Sequence, residues 1–238
     1  MRLVVVILMI LIQSACQSSR NSQASAIIGT NDLIEVNANR SNVEEKFHKI
    51  IEATGIFFLG CTVTHVGNNL AVTAAHCFSY LDDEIVRNGL QEGADCSHRS
   101  IWWHYRRDAP RVSTKCKKIL RFIHTDSQDF ALFSVEKAPE AKVELELGDY
   151  SSGEVTLFSH PSNKYLHWSK DCFMSISDEP TLSESQFTHD CDTQTGSSGG
   201  AIIDLDSLKI VGIHSGSIEN EINYGTYIKS INLEDFYF

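Results

Sequence analysis

The chain has 238 residues, 42% of them hydrophobic and 21% charged, enough apolar material for a core in one large domain or two small ones. With an ordinary apolar fraction and only 4 Pro, extended disorder is excluded. The formal net charge of -11, from 20 Lys and Arg against 31 Asp and Glu, excludes a nucleic-acid binder that depends on a basic footprint. Tyr105-Arg106-Arg107 is too short a basic run to change that and reads as a solvated loop.

Residues 1–16 read as an export signal. Arg2 supplies a positive start, Leu3 to Ile12 an apolar run, and Ser14 and Ala15 the small residues before Cys16. That run is too short for a membrane-spanning helix, which needs about 20 apolar residues. No later stretch is longer, so an integral membrane protein is not expected. Cys16 resembles the lipid-modified cysteine of bacterial lipoproteins, except that Gln13 stands where Leu is usual. A lipidated Cys16 would tether the chain to a membrane; simple cleavage nearby is the alternative. The polar residues 17–26 read as a tether or pro-segment. Export implies an oxidising compartment, secreted or periplasmic, where cysteines pair. Of the 7 cysteines, setting Cys16 aside leaves Cys61, Cys77, Cys96, Cys116, Cys172 and Cys191, enough for three disulfides.

Helical signal is confined to Val43–Ala53 and the last few residues. From Ile56 onward the pattern is short apolar runs broken by turn residues. Ile56–Leu59, Leu70–Thr73, Ile119–Ile123, Phe130–Val135, Val155–Phe158, Ala201–Ile203 and Ile210–Ile213 have strand length. Gly67-Asn68-Asn69, Asp149 to Gly153 and Asp204 to Ser207 read as turns. Many short strands with turns predict an all-β sandwich or barrels. Glu136 to Lys142, with Pro139, is the linker candidate between β-rich halves over 27–135 and 143–238.

Two strings carry chemistry: Thr73-Ala74-Ala75-His76-Cys77 and Gly196-Ser197-Ser198-Gly199-Gly200, with Asp129-Phe130-Ala131-Leu132 between them. A serine hydroxyl needs a base to take its proton, and histidine titrates near neutrality. A buried carboxylate fixes the imidazole tautomer and stabilises the imidazolium. Glycines around the serine let two N–H groups point at a developing oxyanion. Taken singly each string has a plain structural reading: a flexible loop, a core histidine, a turn aspartate. Asp126 competes for the orienting role; Asp129 is preferred because the apolar run starts directly after it.

With the order His, Asp, Ser and these strings, the chain resembles the trypsin/chymotrypsin-like serine proteases, and among them the bacterial glutamyl endopeptidases. The likeness runs from Ile27 to Phe238. It includes Ile27-Ile28-Gly29-Thr30-Asn31-Asp32, Gly212-Ile213-His214-Ser215-Gly216 and Asn223 to Ile228. It implies two six-stranded antiparallel Greek-key β-barrels with the active site in the cleft between them. It implies His76 as base and then acid, Asp129 as orienter, and Ser198 as nucleophile. The Gly196 and Ser198 N–H groups become the oxyanion hole, and Cys61–Cys77 a disulfide beside the catalytic histidine. The expected partner is a protein or peptide substrate, met by a monomer without a cofactor. Ser197 stands where trypsin-like zymogens have the Asp that captures the new N-terminus, so activation by that route is not expected.

The specificity residues conflict. Asp192, six residues before Ser198, resembles the group that attracts Lys or Arg at P1, the residue that contributes the scissile carbonyl; its plain alternative is to be turned away and cap a loop. Thr193 and His214 resemble residues that hold a substrate glutamate, and the balance leans to an acidic P1. Of the remaining cysteines, Cys172 pairs with Cys191 and Cys96 with Cys116 in one reading, the latter closing a loop with Trp102, Trp103 and Tyr105. That aromatic cluster is either a substrate-side loop or barrel-surface packing. No metal-ligand spacing is convincing. Two alternatives stand beside the endopeptidase: a catalytically silent homologue that binds peptide or protein in the same cleft, and a protease restricted to one partner or to its own pro-segment.

Overall fold

The computed structural model describes residues 26–57, 60–79 and 91–236. The signal region, Cys16 and most of the tether lie outside them. The strands are β1 (Ile34–Glu35), β2 (Thr54–Phe57), β3 (Thr62–Gly67), β4 (Leu70–Thr73), β5 (Ser100–Trp103), β6 (Val112–His124) and β7 (Asp129–Val135), followed by β8 (Gly153–Ser159), β9 (His167–Ile176), β10 (Gln186–His189), β11 (Ala201–Asp204), β12 (Ile210–Ile218) and β13 (Ile222–Tyr227). Two short helices, α1 (His48–Ala53) and α2 (His76–Ser79), sit among them.

The strands close into two six-stranded antiparallel barrels, as expected. The first runs β2-β3-β4-β7-β6-β5. The second runs β8-β9-β10-β13-β12-β11, with β11 paired back to β8. Closure leaves no open edge to either barrel. β7 lies between β4 and β6 and is almost entirely buried, which is why Phe130–Val135 reads as a continuous apolar run. The Asn68 and Asn69 turn takes φ of 49° and 56°, the left-handed pair that suits a tight hairpin. β6 is 13 residues long and shifts register twice against β7; such bulges let one strand bend around a barrel.

Phe57, Phe78 and Phe133 meet at ring separations of 5.2 to 5.4 Å inside the first barrel. Each fully buried ring contributes about 1.5–3 kcal/mol relative to exposure. Phe47, just before α1, packs at 5.7 Å on both Phe158 and Trp168 of the second barrel, so one core spans both. Val155, Leu157, Met174, Phe187, Ile202, Val211 and Tyr227 fill the second barrel.

Several expectations are corrected. The helix expected over Val43–Ala53 is a 3-10 turn at Glu45–Phe47 followed by α1. The C-terminal residues form only a 3-10 turn at Ile228–Ser230. The strand expected over Ile56–Leu59 is β2, Thr54–Phe57; the last two residues of the expected span lie outside those described. The segment from Ala26 to Val36 belongs to the second barrel by contact: β1 pairs with β9, Ile34 opposite Trp168. All three disulfides form as expected: Cys61–Cys77, Cys96–Cys116 and Cys172–Cys191.

Candidate active site

β4 ends at Thr73 and the chain turns at once into α2, which opens with His76. The Cys61–Cys77 bridge ties that turn to the start of β3. Asp129 is the first residue of β7 and holds His76 at two points. Its Oδ2 lies 2.5 Å from His76 Nδ1, and its Oδ1 accepts the His76 backbone N–H at 2.9 Å. The Asp129 backbone N–H donates to Thr226 Oγ1 at 3.0 Å, which fastens the carboxylate to the second barrel. Asp126 is exposed, so the carboxylate on the imidazole is the expected one.

Burial alone would push the His76 imidazolium toward neutrality, but the Asp129 charge and hydrogen bond outweigh it and hold the pKa above the ordinary histidine value. Burial likewise disfavours the Asp129 carboxylate. The His76 charge, its two hydrogen bonds and the His124 charge more than offset this and lower the pKa.

Ser198 lies on the loop before β11, and that loop is stitched to both barrels. The Ser198 carbonyl accepts the Thr62 N–H at 2.8 Å, and the Gly199 N–H donates to the His214 carbonyl at 2.9 Å. Gly199 has φ +80°, and a Cβ there would collide with Thr73 Oγ1 and the Thr62 carbonyl. Ser198 is thereby drawn against the β4 turn that carries His76. Its hydroxyl is turned to the Ser215 carbonyl, 3.5 Å away, and makes no hydrogen bond to His76 among the described residues. Nucleophile–base bonds commonly tighten only in the substrate complex.

Gly196 has φ +95°, and a Cβ there would come within 2.6 Å of the His160 carbonyl. The Thr195 carbonyl accepts the Ser162 N–H. In a trans peptide the carbonyl and the next N–H point in opposite directions, so this bond turns the Gly196 N–H away from the His160–Asn163 turn. Neither the Gly196 nor the Ser198 N–H has a hydrogen-bond partner among the described residues. Ser197 is buried and bonds Ser159 Oγ at 3.0 Å.

Asp192 and Thr193 are both buried. Asp192 is 3% exposed, and both carboxylate oxygens are engaged. They accept the N–H groups of Ile28 at 2.8 Å and Asp32 at 2.6 Å. Both oxygens are thus turned to the N-terminal segment, as in the loop-capping alternative for Asp192. Thr193 is fully buried; its hydroxyl donates to Asn223 Oδ1 at 2.8 Å and its N–H to the Ala26 carbonyl at 3.0 Å. Asn223 also accepts the Ala26 N–H at 3.0 Å. The N-terminal segment therefore consumes two of the three expected pocket residues.

His214 remains. Its Nδ1 lies 3.0 Å from His189 Nε2, its own Nε2 is buried, and the Tyr224 backbone also hydrogen-bonds the ring. Burial keeps both rings neutral, with His189 down to about 3 and His214 well below its ordinary value. Ser215 and Ser217, further along β12, also hold buried hydroxyls without a partner. Nothing local in the sequence separates His189 and Ser217 from other scattered polar residues. The close trio Cys61, His76 and Cys77 has the spacing of metal ligands, but the two sulfurs are bonded to each other and carry no thiolate.

The trypsin-like peptidase domain family matches residues 53–213, more than half of the chain. No curated protein matches. Among solved structures, a Glu endopeptidase is 20% identical, with a TM-score of 0.60 over 85% of this chain and 93% of that one. Deg5 is 18% identical, with a TM-score of 0.56 over 80% and 93%. An inactive form of the Rv3671c protease from M. tuberculosis H37Rv is 14% identical, with a TM-score of 0.53 over 84% and 90%. At these identities the likeness concerns the fold.

Proposed function

The chain belongs to the trypsin-like peptidase family, and from that premise we propose that it is an exported, monomeric serine endopeptidase using Ser198, His76 and Asp129. Ser198 Oγ attacks the scissile carbonyl as His76 Nε2 takes its proton. The Asp129 carboxylate stabilises the imidazolium, and the Gly196 and Ser198 N–H groups hold the oxyanion. His76 then protonates the leaving amine, and a water repeats the sequence on the acyl-enzyme. The observation that carries this reading is the two-point hold of Asp129 on a buried His76. Three disulfides are consistent with an extracellular or periplasmic site. Attachment through a lipidated Cys16 is part of the proposal.

Glutamate is the P1 residue this reading favours. If His189 Nε2–H donates to His214 Nδ1, the His214 Nε2 carries the proton and faces a carboxylate as donor. The solved neighbour described as a Glu endopeptidase fits that preference. The competing reading, a silent cleft that binds peptide, draws on the Ser198 hydroxyl being turned to Ser215. Hydrolysis of a peptide library varied at P1 separates them: turnover with Glu ahead of Lys and Ala is expected. Turnover at equal rates on all three contradicts the P1 assignment, and binding without turnover contradicts the enzyme.

A further inference from the structure

Beyond the catalytic residues, five side chains form a continuous row away from Gly196. The His160 carbonyl lies against Gly196, and the His160 ring lies 5.7 Å from Tyr105. Tyr105 in turn lies 5.1 Å from Tyr165 and 5.5 Å from Trp102. Arg111 sits 4.4 Å over Trp102. The row is built from both barrels, joined where the Leu166 N–H donates to the Tyr105 carbonyl at 3.0 Å. On β5, Ile101 and Trp103 are fully buried while Trp102 on the opposite face is partly exposed, as are Tyr105 and Tyr165. Three large rings held half-open at one place exceed what barrel packing requires.

Their position relative to Ser198 gives them a use. The His214–Ser215 stretch of β12 stands on one side of the nucleophile loop, where Gly199 bonds His214 and Ser198 faces Ser215. The His160–Asn163 turn stands on the other, beyond Gly196. A substrate whose P1 side chain lies along His214–Ser215, with its carbonyl oxygen at Gly196 and Ser198, sends its leaving half across that turn. The row extends far enough to accompany about three or four extended residues, at ~3.3 Å each.

We propose that Tyr105, Tyr165 and Trp102 form a subsite for aromatic side chains on the leaving half of a peptide substrate, two to three residues past the scissile bond. The inference deepens the endopeptidase reading and rests on it for the direction of the chain. Offset and edge-on ring pairs at these separations are favourable beyond the area they bury. Tyr105 is already braced by the buried His160 ring, and Tyr165 by the Arg107 guanidinium at 5.0 Å, so little side-chain freedom remains to be lost on binding.

The test compares peptides that share one P1 residue and differ only in the second and third residues after the bond. The expected kcat/KM is about three- to tenfold higher with Phe or Trp there than with Gly. Tyr105→Ala and Tyr165→Ala should each bring that ratio close to one, while Tyr105→Phe and Tyr165→Phe keep it. The ratio is taken within each variant, so a loss of folded protein cancels. A chain that labels with fluorophosphonate at Ser198 yet cleaves all these peptides alike overturns the subsite and leaves the peptidase reading standing. A chain that neither labels nor cleaves overturns the peptidase reading, and equilibrium binding of the same peptides then decides. Aromatic peptides bound more tightly, with the difference lost in Tyr105→Ala, support the subsite; equal affinities overturn it.

Discussion

Asp129 acts on His76 through charge and through orientation, and both depend on burial. Its charge holds the His76 pKa above the ordinary value, and only neutral His76 can accept the Ser198 proton. The account predicts that kcat/KM falls on acidification with a midpoint above 6.5, the ordinary histidine value. Asp129→Asn removes the charge and leaves desolvation to act alone. Its limb should move to lower pH, with a loss of turnover of about 10⁴-fold. An unmoved limb in that variant contradicts the assignment. Ser198→Ala and His76→Ala should each abolish most turnover, and the double variant should lose little more, because the residues act as a unit. The strings around His76, Asp129 and Ser198 could be read because each is local; the two-point hold of Asp129 on His76 is what the structure adds. The partners of Asp192 were not legible: Ile28 and Asp32 lie more than 150 residues away, at separations of 164 and 160, and no local pattern reports such a contact.

The loop before β11 is the element on which the site depends. Gly199 has left-handed backbone and backbone atoms where a side chain would go. Gly199→Ala should destabilise the fold by about 1–3 kcal/mol through overpacking and abolish Ser198 reactivity. Urea unfolding and probe labelling check the two effects, and wild-type values for both contradict the placement of the loop. The Cys61–Cys77 bridge spans 16 residues and should contribute about 3 kcal/mol. Strand legibility followed burial. Buried central strands such as β7 announce themselves as apolar runs. β3 is buried throughout yet carries Thr62, Thr64 and His65, and β9 alternates buried and exposed residues including Lys170 and Asp171, so neither shows an unbroken apolar run.

At the scale of the molecule, the two barrels share one core and, among the described residues, bury histidines that include His160, His189 and His214, whose rings burial holds neutral. His160 and His189 are pushed down by burial to about 3, and His214 well below its ordinary value. In the unfolded chain all three titrate near 6.5. The unfolded state thus binds more protons between about 6.5 and 3, and folding stability is full above that window and lost as pH falls through it. The loss should approach about 1.4 kcal/mol per pH unit for each histidine. Urea midpoints from pH 7 to 4 check this, and a flat profile contradicts it. The apolar runs on either side of residues 136–142 were legible as strands, β7 before and β8 after. The crossing of residues 26–36 onto the second barrel was not, because β1 is two residues long and finds its partner only in the folded chain.

The central claim is that Ser198 is a nucleophile activated by His76. Reaction of the full chain with a fluorophosphonate probe, followed by mass-spectrometric mapping of the modified residue, tests it directly. The account predicts a single adduct on Ser198, absent in Ser198→Ala and strongly slowed in His76→Ala. An unlabelled wild-type chain, or an adduct that forms as fast without His76, contradicts it.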